Sequence, residues 1–132
     1  MTQVQEWSNA ELNRKLAELM GYTVIQSHDA KEGGGAPLYQ LTGPGFTGRY
    51  DRKPENTWKS VPNWSSDPAA SLEVQTAAIE KSQVDYLLNL SKVTNPNADD
   101  FAPWTPTEII KLLTASPRER AEAAYITLSS KQ

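Results

Sequence analysis

Residues 8–26, SNAELNRKLAELMGYTVIQ, predict a helix that runs directly into a strand, and this change of pattern decides the fold class. A serine and a glutamate three positions apart form a capping box at the start, and apolar residues then recur on one helical face. Gly21 suits the left-handed conformation that ends many helices. We therefore expect a helix over residues 9–20 and, because the next residues are β-branched or aromatic, a strand over residues 22–26.

Two further strands are predicted downstream of this unit. Residues 27–36 combine charged side chains with three consecutive glycines, which favours a mobile hairpin loop, and residues 38–42 would form the returning strand. Residues 43–66 are rich in Gly, Pro, Asn and Ser but hold four large aromatic rings. We expect this excursion to be ordered over the core, with a short strand at residues 46–50.

The remainder of the chain is predicted to be mainly helical. Asp67 and Pro68 fit the N-cap and first position of a helix that continues to about residue 81 and is buried along much of its length. Alternating apolar and polar residues predict a strand over residues 84–90. A polar loop and two further helix starts are expected near the end of the chain, at residues 94–104, Thr105-Pro106 and Ser116-Pro117.

The order of these elements predicts a single α+β domain over residues 1–132. A small antiparallel sheet would be packed with helices on its faces, as a helix-sheet-helix sandwich. A chain of 132 residues suits one such domain with one hydrophobic core.

Composition excludes several classes of function. A net charge of -3 argues against binding duplex nucleic acid, which needs a basic face. The chain has no cysteine and a single histidine, His28, so thiolate nucleophiles, zinc-thiolate sites and paired-histidine metal sites are excluded. No signal peptide or membrane-spanning run is visible, so we expect a cytoplasmic protein. Because no base–nucleophile pair or metal-ligand set is visible either, we expect that it is not an enzyme and uses no metal or cofactor.

Basic and aromatic residues interleave in the excursion, and this is the best candidate for a binding site. Arginine can pair with phosphate and stack on a base, while tyrosine and tryptophan also stack on bases. The alternative is that the rings fill the core beneath a long loop while the charges stay solvated. The candidate residues are Arg49, Tyr50, Arg52, Lys53, Trp58 and Trp64.

Two polar features elsewhere are also candidates for ligand contact. Ser65 and Ser66 precede a helix N-terminus, which favours anions, although Asp67 would repel one and an unliganded cap is the competing interpretation. Arg118 and Arg120 on the last helix could reach a ligand or a subunit interface, or form a solvated face.

Three short stretches resemble the bacteriophage ABA-sandwich proteins. Residues 61–74, VPNWSSDPAASLEV, are similar to the aromatic-Ser-Thr-Asp motif that opens the central helix of that family. Residues 12–22 and 114–124 resemble its first and closing helices, and the chain departs from the family pattern at residues 27–60 and 94–113. The resemblance implies phage origin and a compact sandwich. Small phage proteins of comparable architecture include sponges that sequester nucleotide second messengers of bacterial defence.

Composition, candidate residues and resemblance together lead to one functional hypothesis. We expect a non-enzymatic, homo-oligomeric phage protein of the host cytoplasm that binds and sequesters a small nucleotide-derived ligand, such as a host immune signal. The alternative is a protein-interaction module that inhibits a host or phage protein through an exposed aromatic surface. A small hydrolase has the weakest support, because no pairing of base and nucleophile is visible.

Overall fold

The protein has a mixed α+β fold, which confirms the predicted class. Its computed structural model describes residues 4–27, 37–96 and 104–130. Among these residues it contains one three-stranded antiparallel sheet and six α-helices. The chain divides into two compact units, which we call the sheet unit, residues 14–62, and the helical unit, residues 1–13 with 63–132.

The sheet unit is a meander preceded by most of a helix. Its elements are α1 Asn9–Leu19, β1 Thr23–Ser27, β2 Leu38–Gly43, β3 Phe46–Asp51 and α2 Pro54–Thr57. The strands lie in the order β1-β2-β3, and the short helix α2 packs on β2 and β3. Gly21 ends α1 with a φ of 96°, and Gly45 turns the chain between β2 and β3 with a φ of 68°, both in the left-handed region that favours glycine.

The three strands expected before residue 51 are confirmed to within one residue at each end. The predicted mobile loop falls almost entirely on residues 28–36, which lie outside the described residues, as does most of the polar loop expected at 94–104.

The helical unit is built around its last helix. Its helices are α3 Pro68–Lys81, α4 Gln83–Thr94, α5 Pro106–Leu113 and α6 Pro117–Ser129. Helix α6 contacts both α3 and α4, and α5 contacts α4. Three of these helices begin where the sequence predicts: Asp67 Oδ1 accepts from the Ala69 amide at 3.0 Å, and Thr105 and Ser116 each complete a capping box. No helix in the described part of the chain is long and apolar enough to span a membrane.

Small side chains on α6 allow close packing in the core of the helical unit. Four buried residues form its inner face: Ala121, Ala123, Ala124 and Thr127. From α4, Tyr86 is buried and its hydroxyl donates to Gln75 Oε1 at 2.8 Å. Burial raises the pKa of Tyr86, so its hydroxyl stays protonated as a donor. Helix α3 is buried on one side only, contrary to expectation, since Leu72 and Ile79 are exposed.

The strand predicted over residues 84–90 is wrong, because these residues belong to α4. Ser82 caps this helix by accepting from the Asp85 amide at 3.2 Å. The residues that seem to alternate form two pairs, and the two members of each pair lie four positions apart on the same face of the helix. Tyr86 and Leu90 are buried, whereas the other pair, Val84 and Leu88, is exposed.

Candidate functional site

The segment from β3 to the turn after α2 carries a local excess of positive charge. We call residues 49–59 the basic segment; its cations are Arg49, Arg52, Lys53 and Lys59, against the carboxylates of Asp51 and Glu55. Within the described residues, none of these four cations forms an ion pair. All four are exposed. In a chain of net charge -3, this segment is therefore a place where an anion could be bound.

Asp51 holds the backbone of the basic segment in a defined turn. Its Oδ1 accepts from the Lys53 amide at 2.9 Å and from Asn56 Nδ2 at 3.2 Å. The hydrogen bond from the Lys53 amide is the main reason that the pKa of Asp51 lies below its usual value. Because α2 also packs on the sheet, Arg52 and Lys53 project from an ordered turn.

Tyr50 lies on an open face of the sheet. The strand register aligns Ile25, Gln40 and Tyr50 in one cross-strand row, in which Ile25 is 46% and Tyr50 53% exposed. Gln40 Nε2 donates to the Gly48 carbonyl at 2.9 Å, and this hydrogen bond holds the Gln40 side chain in place between Ile25 and Tyr50. Tyr50 therefore presents a ring to solvent two residues before Arg52.

Arg49 does not share the cross-strand row of Tyr50. Gln40 of β2 pairs with Tyr50, and Thr42 pairs with Thr47. Arg49 lies in the irregular stretch of β3 between these two pairs. Its side chain is exposed. Arg49 can therefore add positive charge to the region, but the strand register does not align it with the Tyr50 ring.

Trp58 is half-buried and already has a cation on its ring. The guanidinium of Arg14 lies 5.0 Å from the ring centroid, a cation–π contact. Both residues belong to the sheet unit. A ligand that stacked on this face of Trp58 would have to displace Arg14 or stack on its guanidinium. No sequence pattern links Arg14 with Trp58, so sequence reasoning missed this pair.

Trp64 and Ser65 belong to the core of the helical unit, which corrects their assignment to a ligand site. Trp64 is 1% exposed and its Nε1 donates to Glu73 Oε1 at 2.9 Å. Ser65 is also 1% exposed, and both its amide and its hydroxyl donate to Asn13 Oδ1, at 3.0 and 2.7 Å. A ring without accessible area cannot stack on a ligand, and a serine with both donors engaged cannot bind phosphate.

Ser66 is exposed beside the start of α3, but the carboxylate of Asp67 already caps this helix. The expectation that Ser66 contacts a ligand stays a prediction. Among the described residues, no three His, Asp or Glu side chains come together as a set that could hold a metal ion.

The exposure of five large apolar side chains on two contacting helices of the helical unit was not predicted. Helix α5 buries none of its residues, and three of its large apolar side chains are at least 42% exposed. The adjacent helix α4 adds two more. We call this set the α4–α5 surface; its members are Val84, Leu88, Ile109, Ile110 and Leu113. The erroneous strand assignment for residues 84–90 concealed its α4 half.

No protein-family model, curated protein or solved structure matches this chain.

Proposed function

We propose that this chain is a non-enzymatic binding protein that captures a small nucleotide-derived ligand at the basic segment. The observation that carries the proposal is the position of Tyr50, a half-exposed ring on an ordered strand. Arg52 and Lys53 follow it by two and three residues and form no ion pair with any described residue. Arg49 and the Arg14–Trp58 pair belong to the same sheet unit and offer further cations and a further aromatic ring.

The two kinds of side chain supply complementary parts of the interaction. A base stacked on an exposed aromatic ring contributes about 1–3 kcal/mol, with little dependence on which base it is. Arginine pairs with phosphate through two parallel hydrogen bonds, and a backbone already held by Asp51 lowers the cost of ordering it. A ligand with both a flat ring and a phosphate would use both.

Sequestration is the mechanism that suits these residues. The basic segment offers aromatic rings and exposed cations, and it contains no histidine or cysteine that could act as base or nucleophile. The resemblance of residues 61–74 to phage ABA-sandwich proteins suggests a setting, the removal of a host immune signal in the cytoplasm of an infected cell.

Ligand capture can be tested with a panel of mononucleotides, cyclic dinucleotides and ADP-ribose derivatives. Each is incubated with the protein, the complex is separated from free ligand and heated, and the released compound is identified by mass spectrometry. Recovery of the intact compound supports capture. An altered product would mean that the protein is an enzyme, and no uptake of any compound would contradict the proposal.

Tyr50→Ala is expected to weaken binding of the captured compound about 5- to 150-fold, the loss of one stacking contact. Tyr50→Phe keeps the ring and should bind like the wild type. Arg52→Ala should also weaken binding and reduce its dependence on salt, whereas Lys111→Ala, an exposed cation on α5, should do neither. Calorimetric titration at two salt concentrations measures both effects, and equal affinity of Tyr50→Ala and wild type would refute the site.

A second candidate function is protein interaction through the α4–α5 surface. Its favouring observation is that five large apolar side chains, including Leu113 at 70% exposure, lie on two helices in contact. Such surfaces are typical of interaction sites.

Leu113→Glu is expected to release a protein partner without unfolding the chain, because a residue this exposed contributes little to stability. Tyr50→Ala should leave that partner bound. Quantitative affinity purification with both variants distinguishes the two functions. A partner lost with Tyr50→Ala but retained with Leu113→Glu would count against the α4–α5 surface.

A further inference from the structure

The two edges of the sheet differ in how well they are protected against pairing with another strand. The strand order β1-β2-β3 leaves β1 and β3 as edges among the described residues. Edge β3 has irregular pairing and carries Arg49 and Asp51, features that oppose the addition of a further strand. Edge β1, Thr23–Ser27, reads Thr-Val-Ile-Gln-Ser and has no charge, proline or bulge.

The outer side of β1 has no hydrogen-bonding partner in the described part of the chain. Its backbone pairs with β2 on one side only. No other described backbone or side-chain group bonds to the main chain of residues 23–27. Unpaired amides and carbonyls in a regular, uncharged strand are a template for a further strand.

We propose that the occupant of this edge is β1 of a second copy of the chain, paired antiparallel about a two-fold axis at Ile25. In this register Ile25 lies opposite its symmetry mate, so two side chains that are each 46% exposed cover one another. Val24 lies opposite Gln26, and Thr23 opposite Ser27. Shifting the register by two residues would instead place Ile25 opposite a polar residue.

Absence of charge favours a second copy over a charged foreign segment. Self-pairing sets the side chains of β1 against those of the same strand, so like charges on β1 would be brought close together, and β1 carries no charge. The two sheets would join into one of six strands in the order β3-β2-β1-β1-β2-β3. This inference is independent of ligand capture, since Tyr50 lies on the outermost strand of each copy.

Single-cysteine variants test the pairing cleanly, because the natural chain has no cysteine. Directly opposed residues of antiparallel strands have Cα atoms about 4.5–5.5 Å apart, within the range of a disulfide. Ile25→Cys should therefore form a covalent dimer under mild oxidation. Thr23→Cys, on the same strand and also exposed, would be offset from its mate by four residues, about 13 Å, and should form no disulfide-linked dimer. Thr47→Cys places a cysteine on the other edge strand, β3, and should form no disulfide-linked dimer either.

Sedimentation of the unmodified protein gives a second readout. Its mass should rise with concentration toward that of a dimer, and Ile25→Lys should abolish the rise by placing two like charges in contact. Circular dichroism checks that this exposed position leaves the fold intact. Equal cross-linking of Ile25→Cys and Thr23→Cys, a wild type that stays monomeric at all concentrations, or a dimer that survives Ile25→Lys would each overturn the proposal.

Discussion

Trp64→Ala is expected to lower the free energy of unfolding by about 3–5 kcal/mol, the range for truncating a buried aromatic side chain. The ring is 1% exposed, so its removal leaves a cavity. The lost hydrogen bond to Glu73 adds little, because Glu73 is exposed and its carboxylate can turn to water. Urea denaturation followed by circular dichroism measures the change.

Trp64→Phe is the matched variant, since it keeps an aromatic ring in the same space and should cost less than alanine. Trp58→Ala is the second control, because that ring is only half-buried and its loss leaves no comparable cavity. If Trp64→Ala unfolded at the urea concentration of the wild type, the core position of this ring would be contradicted. Because a large loss of stability is expected for the alanine variant, a loss of binding in it would not report on ligand contact.

Arg118→Ala is expected to lower the free energy of unfolding by about 2–3 kcal/mol through loss of hydrogen bonds made by a charged donor. The guanidinium donates to the carbonyls of Val4 and Trp7, each at 2.8 Å. It also donates to Asn9 Oδ1 at 2.8 Å and to Glu122 Oε2 at 2.6 Å. One side chain on α6 thus holds the N-terminal segment through three acceptors, while Glu122, on α6 itself, orients the guanidinium.

The effect of Arg118→Ala should be local as well as global, with faster proteolytic cleavage near residues 4–9. Arg118→Lys keeps a charge near Glu122 but lacks the planar fork, so it should recover only part of the loss. Lys111→Ala, which removes an exposed cation without a described partner, is the control. Unchanged cleavage and an unchanged denaturation midpoint in Arg118→Ala would show that these contacts do not hold the segment.

Helix boundaries could be predicted because capping is local chemistry. The pairs that start α5 and α6, Thr105 with Glu108 and Ser116 with Glu119, lie three residues apart and act as the sequence suggests. Periodicity was less reliable. The alternation over residues 84–90 fits a strand and two helical faces equally well, and the Ser82 cap and packing against α6 favour the helix.

The candidate site was only partly predictable because burial depends on residues that are distant in sequence. Ser65 is sequestered by Asn13, 52 positions earlier, and Trp58 carries Arg14 on its ring. The sequence shows that aromatic and basic residues interleave, but it does not distinguish a ring in the core from a ring on a face of the sheet. The register of three strands makes that distinction for Tyr50. Likewise, Arg118 serves the fold, although its sequence context allowed a ligand or a subunit interface.

The inner face of α6 limits how this chain can diverge. Ala121, Ala123 and Ala124 are fully buried, so even an added methyl group at these positions would force neighbouring helices apart. Relatives of this protein should therefore retain small residues there. That spacing of small residues is a signature by which distant homologues could be recognised.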